Sequence, residues 1–191
     1  MSTVLKDKKY TIEDYMKLDD DNRYELIDGE LILVPRQRSR HQKIAGEFFA
    51  EIKYYLKHNA IGEVLYELDV FLGEKVKVVA PDVIFIAKER LDIIKELNIQ
   101  GAPDLVIEVL SPSTARHDRK IKRQLYFKNG VKEHWLVDPD QQSVEVLVAG
   151  EKEWRWAGLF GQEDVLTTAL LPGLEIKLAE VFRDSYGGLK L

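Results

Sequence analysis

The chain has 191 residues, 45% of them hydrophobic, with 28 basic against 33 acidic side chains and a formal net charge of −5. That length suits one core of ordinary size, so we expect a single domain over residues 1–191. The absence of cysteine excludes disulfides, thiolate zinc sites and cysteine nucleophiles, and the acidic balance argues against broad, non-specific attraction to nucleic acid. Neither a leader-type apolar stretch nor a run of roughly 18 apolar residues occurs, and the expectation is a soluble cytoplasmic protein without membrane contact.

Thr11 with Asp14 three residues on resembles a capping box, which predicts a short helix over residues 11–19. RYELIDGELILV, residues 23–34, alternates around Asp28-Gly29 and predicts a two-stranded hairpin. In such a ribbon Glu25 and Glu30 are expected to face water. Between residues 41 and 58, His41, Ile44, Ala45, Phe48, Ile52, Tyr55 and Leu56 form one stripe at helical spacing, so an amphipathic helix begins at an inward histidine. Residues 62–73 and 76–87 then read as two successive strands, and residues 89–96 as a short helix.

The apolar stretch Leu105, Val106, Ile107, Val109 and Leu110 predicts a strand over 103–110 that is covered on both faces. Ser111-Pro112-Ser113-Thr114 stops it and offers caps to a helix over 114–129, with Gly130 just past its C-terminus. HWLVDP is a further apolar strand. SVEVLVAG, EWRWAGLFG and DVLTTALLPGLEIKL read as antiparallel strands, and LAEVF as a terminal helical turn. The core order is helix, three strands, helix, strand, with the flanking hairpin and strands expected to elaborate one sheet.

Glu108 interrupts the apolar run, where an ionised carboxylate costs several kcal/mol unless a cation or strong donors meet it. Asp82 opens a second dry run, Val83 to Ile86, and two carboxylates on adjacent strands suit a hard cation such as Mg²⁺. The competing explanation is that Asp82 caps a turn and Glu108 meets an arginine. Asp118, Ile121, Lys122, Leu125 and Tyr126 share one face of the following helix, which brings the Lys122 ammonium toward Glu108 unless it snorkels to water. Asp104 lies four residues from Glu108, roughly 13 Å along a strand and too far to share an ion. His41 is more often a satisfied inward histidine than a base or ligand. Two basic clusters, Arg36 to Lys43 and Arg116 to Lys128, stand out against the acidic mean. Walker, GxGxxG, GxSxG and HExxH motifs are absent.

A proline-aspartate, an acid inside a hydrophobic strand and a following lysine resemble the PD-(D/E)xK nuclease superfamily. More closely, RYELIDGELI, RHQKIAGEF, PDVIFIA, GAPDLVIEVLSPST and RHDRKIKRQLYFKNGVKEHWLVDP in succession resemble the Uma-two family, a domain of unknown function described as a restriction endonuclease, over about residues 10–180. The resemblance implies a restriction-endonuclease-like α/β fold, with a mixed sheet flanked by helices, and a Mg²⁺- or Mn²⁺-dependent endonuclease acting on DNA. It implies Asp82 and Glu108 as metal ligands and Lys122 as catalytic lysine. Glu25, His41, Asp104 and Asp118 also match family positions. The superfamily lysine two residues after the acid is replaced by Leu110, and His134 and Lys120 stand where the family usually has tyrosine and glycine. Arg116 and Arg119, with His41, are the candidate DNA contacts, and a twofold dimer is expected by analogy with nucleases that cut both strands. The alternative is a non-catalytic nucleic-acid or protein binding module on the same fold.

Overall fold

In the computed structural model, residues 9–73, 77–111 and 118–183 are described, with only the backbone at 118 and 119. Thr11 caps α1 (Ile12–Tyr15) through the reciprocal box with Asp14. Strands β1 (Arg23–Ile27) and β2 (Glu30–Val34) pair in the register Ile27↔Glu30. Asp28 and Gly29 both take positive φ, 51° and 86°, as the two-residue turn between twisted strands requires. The long helix α2 (Ser39–His58) buries Ile44, Phe48, Ile52 and Leu56, one residue per turn along a single stripe. Each such side chain contributes about 1.5–3 kcal/mol on burial, and Phe48 meets Trp135 edge-on at 5.9 Å.

The two long strands expected over 62–73 and 76–87 are four. β3 (Gly62–Tyr66) and β4 (Asp69–Phe71) separate at Glu67, which has φ 54°, and β5 (Lys77–Val79) and β6 (Val83–Ala87) separate at Ala80-Pro81-Asp82. Proline removes a ladder donor, and each break lets the chain cross from one sheet to another. β3 and β6 join a six-stranded sheet of order β11-β10-β9-β8-β6-β3, while β4 and β5 join a five-stranded sheet of order β2-β1-β5-β4-β7. The N-terminal hairpin therefore belongs to a second sheet and does not extend the first. β7 (Asn98–Gln100), unexpected from sequence, pairs parallel to β4, and the helix expected at 89–96 is a 3₁₀ segment, Lys88–Ile93.

β8 (Leu105–Val109) lies at the centre of the six-stranded sheet, antiparallel to β6 and parallel to β9 (Glu133–Asp138). All five of its residues are buried. One face of this sheet packs on α2 and on Leu166, Leu174 and Ile176. The other face packs on Val70, Val79 and Ile99 of the second sheet and on Leu125 and Tyr126. The helix expected at 114–129 begins, within the described residues, as a π-type turn over Asp118–Lys122 and continues as α3 (Arg123–Asn129), closed by Gly130 at φ 90°. The wide turn carries Ile121 out of the predicted inward stripe, and it is 42% exposed. β10 (Ser143–Ala149) and β11 (Trp154–Gly161) form the far edge of the sheet. DVLTTALLPGLEIKL supplies only the short pair β12 (Val165–Leu166) and β13 (Ile176–Lys177), followed by α4 (Leu178–Val181). Helix, three strands, helix and strand thus stand as α2, β3, β6, β8, α3 and β9. Among the described residues no helix is long and apolar enough to cross a membrane.

Candidate active site

Glu108 needed a partner, and among the described residues it meets a lysine and a tyrosine. Lys122, the last residue of the π-type turn, places Nζ 3.1 Å from Glu108 Oε1 and 2.7 Å from Glu25 Oε1. Tyr126, one helical turn further, donates its hydroxyl to Glu108 Oε1 at 2.5 Å. All four side chains are buried: Glu25 and Glu108 are 3% exposed, Lys122 5% and Tyr126 0%. A charge removed from water to this degree is tolerable only with close counter-charges and donors, and here each acid has the same ammonium. Burial, followed by the Glu108 charge, pushes the Tyr126 hydroxyl well above its ordinary pKa, so it remains a donor.

Glu25 corrects the expectation of a solvated ribbon residue. β1 is an interior strand, with β2 on one side and β5 on the other, and the Lys122 ammonium meets Glu25 across its face. The Glu25 carboxylate also accepts the Ala80 amide at 3.0 Å.

Asp82 enters from the opposite end of the same crossing. The last β6–β8 pair is Val83↔Ile107, and Asp82 and Glu108 are the next residues of the two chains at that end. Its Oδ2 accepts the Val109 amide at 2.7 Å, closing the ladder with a side chain in place of a backbone carbonyl. Gln37 donates to Oδ1 at 2.7 Å, and His41 Nε2 lies 3.3 Å from Oδ2. The two carboxylates are thus held from different sides, Asp82 from the start of α2 and Glu108 from α3 and β1. His41 is inward, as its stripe predicts. Among the described residues no three His, Asp or Glu groups are gathered where they could hold one metal ion.

Asp104 sits elsewhere. It is fully buried at the other end of β8 and accepts the Ala87 amide at 2.8 Å, with Arg90 at 2.9 Å and Lys132 at 2.8 Å. Arg116 lies outside the described residues, as do the side chains of Asp118 and Arg119.

Tyr126 and Gln37 are the members sequence reasoning missed. Tyr126 lay in the predicted inward stripe but counted as core, and its position four residues after Lys122 is the signal that pairs them. Gln37 precedes α2 in an irregular stretch that carries no pattern. His134, on β9 opposite Val106, is buried behind Tyr126 at 5.0 Å between ring centroids. Burial, then Lys122 and Arg123, push its pKa down to about 3.

A family model described as "Putative restriction endonuclease", Uma2, matches residues 12–179. The fold is shared with a solved structure, "a putative nuclease belonging to DUF820" from Anabaena variabilis ATCC 29413. The TM-score is 0.75 at 24% identity, over 90% of this chain and 97% of that one. No curated protein matches the sequence.

Proposed function

Because this chain belongs to the Uma2 family, we propose that it is a divalent-metal-dependent endonuclease hydrolysing phosphodiester bonds in DNA, at the rim where β6 begins and β8 ends. The observation that supports this reading is the buried Glu108 with the Lys122 ammonium 3.1 Å away, at the end of the β6–β8 pair where Asp82 also enters and accepts the Val109 amide. Asp82 and Glu108 would hold Mg²⁺ or Mn²⁺. Both offer hard oxygen donors, and Mg²⁺ is usually bound by one or two carboxylates and shared with substrate phosphate, so a two-acid set fits without a third ligand. Such an ion, when bound, polarises the scissile phosphate and acidifies a water.

The remaining groups act through position. Glu25 fixes the Lys122 ammonium, which would lower the cost of negative charge developing on the phosphate oxygens. Tyr126 fixes the Glu108 carboxylate. Gln37, His41 and the Val109 amide hold Asp82. Arg116 and Arg119 would steer the DNA backbone toward the rim, and two copies would cut the two strands.

The test is cleavage of plasmid and oligonucleotide DNA with Mn²⁺. Asp82→Ala and Glu108→Gln are each expected to lower the rate by at least about a hundredfold, consistent with losing a group that stabilises the transition state. Undiminished cleavage by either folded variant would sink the assignment. One observation favours the alternative binding module: both Asp82 oxygens already accept hydrogen bonds, and Lys122 is already paired with both glutamates. A ligand of the folded state must raise its melting temperature, so no thermal shift with Mg²⁺ or Mn²⁺ and no cleavage would decide for the module.

A further inference from the structure

The side of α3 turned away from the buried acids forms one wall of a groove whose other wall is the connection from β10 into β11. Lys120, Arg123 and Lys128 line it from the helix side and Lys152 from the other, with Phe127 and Trp154 between them. The groove is open and has a volume of about 770 Å³. Four cations meet a single acid, Glu153, in this lining, on a chain whose net charge is −5. Such local concentration against the global sign is not what a merely solvated surface requires.

The aromatic pair is fixed. Trp154 donates its indole N–H to the Arg123 carbonyl at 2.7 Å, and its ring stands 5.5 Å from that of Phe127 at 58°. Arg123 is partly engaged by Glu145 at 3.7 Å. Cations that follow a phosphate backbone, set around aromatic rings that accept bases, are the two parts of a single-strand binding surface. Paired bases are stacked on one another and could use only the cations, so the rings favour an unpaired strand.

We infer that this groove binds a single strand of DNA, with Lys120, Lys128 and Lys152 on the phosphates and Phe127, backed by the core-packed Trp154, against the bases. Resting on the DNA-directed reading above, it would carry a displaced or unpaired strand past the helix whose opposite side bears Lys122 and Tyr126.

The test is fluorescence anisotropy with a labelled oligothymidylate and with a duplex of the same length, in EDTA, so that cleavage plays no part. We expect the single strand to bind more tightly than the duplex and the affinity to fall with salt. Each phosphate contact adds about 0.7 to the slope of log affinity against log salt. The double variant Lys128→Glu/Lys152→Glu is expected to weaken binding by at least about tenfold at low salt, since it removes two such contacts and reverses their charge. Phe127→Leu, which keeps apolar bulk, should weaken the single strand and leave the duplex unaffected. Equal affinity for duplex and single strand, binding unchanged in the double variant, or no binding would each overturn the inference. Binding that behaves as expected while the wild type fails to cleave with Mn²⁺ would uphold the groove and remove only the nuclease reading.

Discussion

The two ends of β8 carry the same kinds of residue in opposite balance. At the start, Asp104 is one acid met by an amide and two cations, and those cations, Arg90 and Lys132, are 30% and 52% exposed at their side chains. Burial pushes the Asp104 carboxyl up, but the Ala87 amide, Lys132 and Arg90 outweigh it and hold the group below its ordinary value. At the end of the strand, Glu108 and Glu25 share a lysine that is itself buried, and Asp82 accepts the Val109 amide. The first arrangement is complete and leans on solvent through its cations. The second keeps its cation out of water: Lys122 is buried between Glu25 and Glu108, so solvent does little to stabilise that ammonium.

The largest effect that would test this contrast is at the shared lysine. Lys122→Met removes the ammonium common to two buried carboxylates and is expected to cost about 3–5 kcal/mol of stability, read by urea unfolding. A loss below about 1 kcal/mol would mean the acids are neutralised some other way. Asp104→Ala is expected to cost about 2–3 kcal/mol, less because its cations can turn to water, with cleavage per folded molecule retained. A carboxyl depressed in the folded state stabilises above its unfolded pKa, near about 4, and loses that contribution as pH falls through the folded value. The gap between Asp104→Ala and wild type should therefore close in acid, a trend visible in melting temperatures taken from pH 7 downward.

The effect behind the site is smaller at neutral pH and grows in acid. Neither ring nitrogen of His134 has a hydrogen-bond partner among the described residues, and its pKa moves from 6.5 to about 3. Across that window the unfolded chain takes up a proton that the folded chain refuses, so stability falls with falling pH by up to roughly 1.4 kcal/mol per unit. In His134→Phe this slope should be missing, and stability at neutral pH should rise by about 1 kcal/mol as a buried polar ring is replaced. An unchanged pH profile would show that His134 is satisfied. The smallest effect belongs to the exposed pair Arg40 and Asp140, 3.2 Å apart. Asp140→Ala should change stability by less than about 1 kcal/mol, which sets the scale for an ion pair that does no more than decorate a surface.

Glu108 was legible because a charge inside five apolar neighbours has no cheap explanation, and Lys122 because helical spacing aimed it at the same strand. Asp82 followed from the dry run it opens. Glu25 was misjudged for a reason that lies outside its own hairpin: alternation shows that a strand has two faces, but not that Lys122 and the Ala80 amide, far along the chain, will meet the one bearing Glu25. The long runs at 62–73 and 76–87 hid their sheet changes because Val, Leu and Ile read alike on either side of Glu67 and Pro81. The π-type turn was equally invisible. One wider turn leaves composition untouched while it moves Ile121 to the surface and keeps Lys122 inward.

The passage of Ala80, Pro81 and Asp82 between the sheets makes the candidate site a seam. The Ala80 amide is tied to Glu25 on the second sheet, and the Asp82 carboxylate is tied to the Val109 amide on the first. Sliding of one sheet over the other would draw Glu25 and its share of the lysine away while leaving Asp82 tied to β8. The charged groups at the rim are therefore only as well aligned as the two layers are with each other, and mutations deep between the sheets, far from any charge, can shift them.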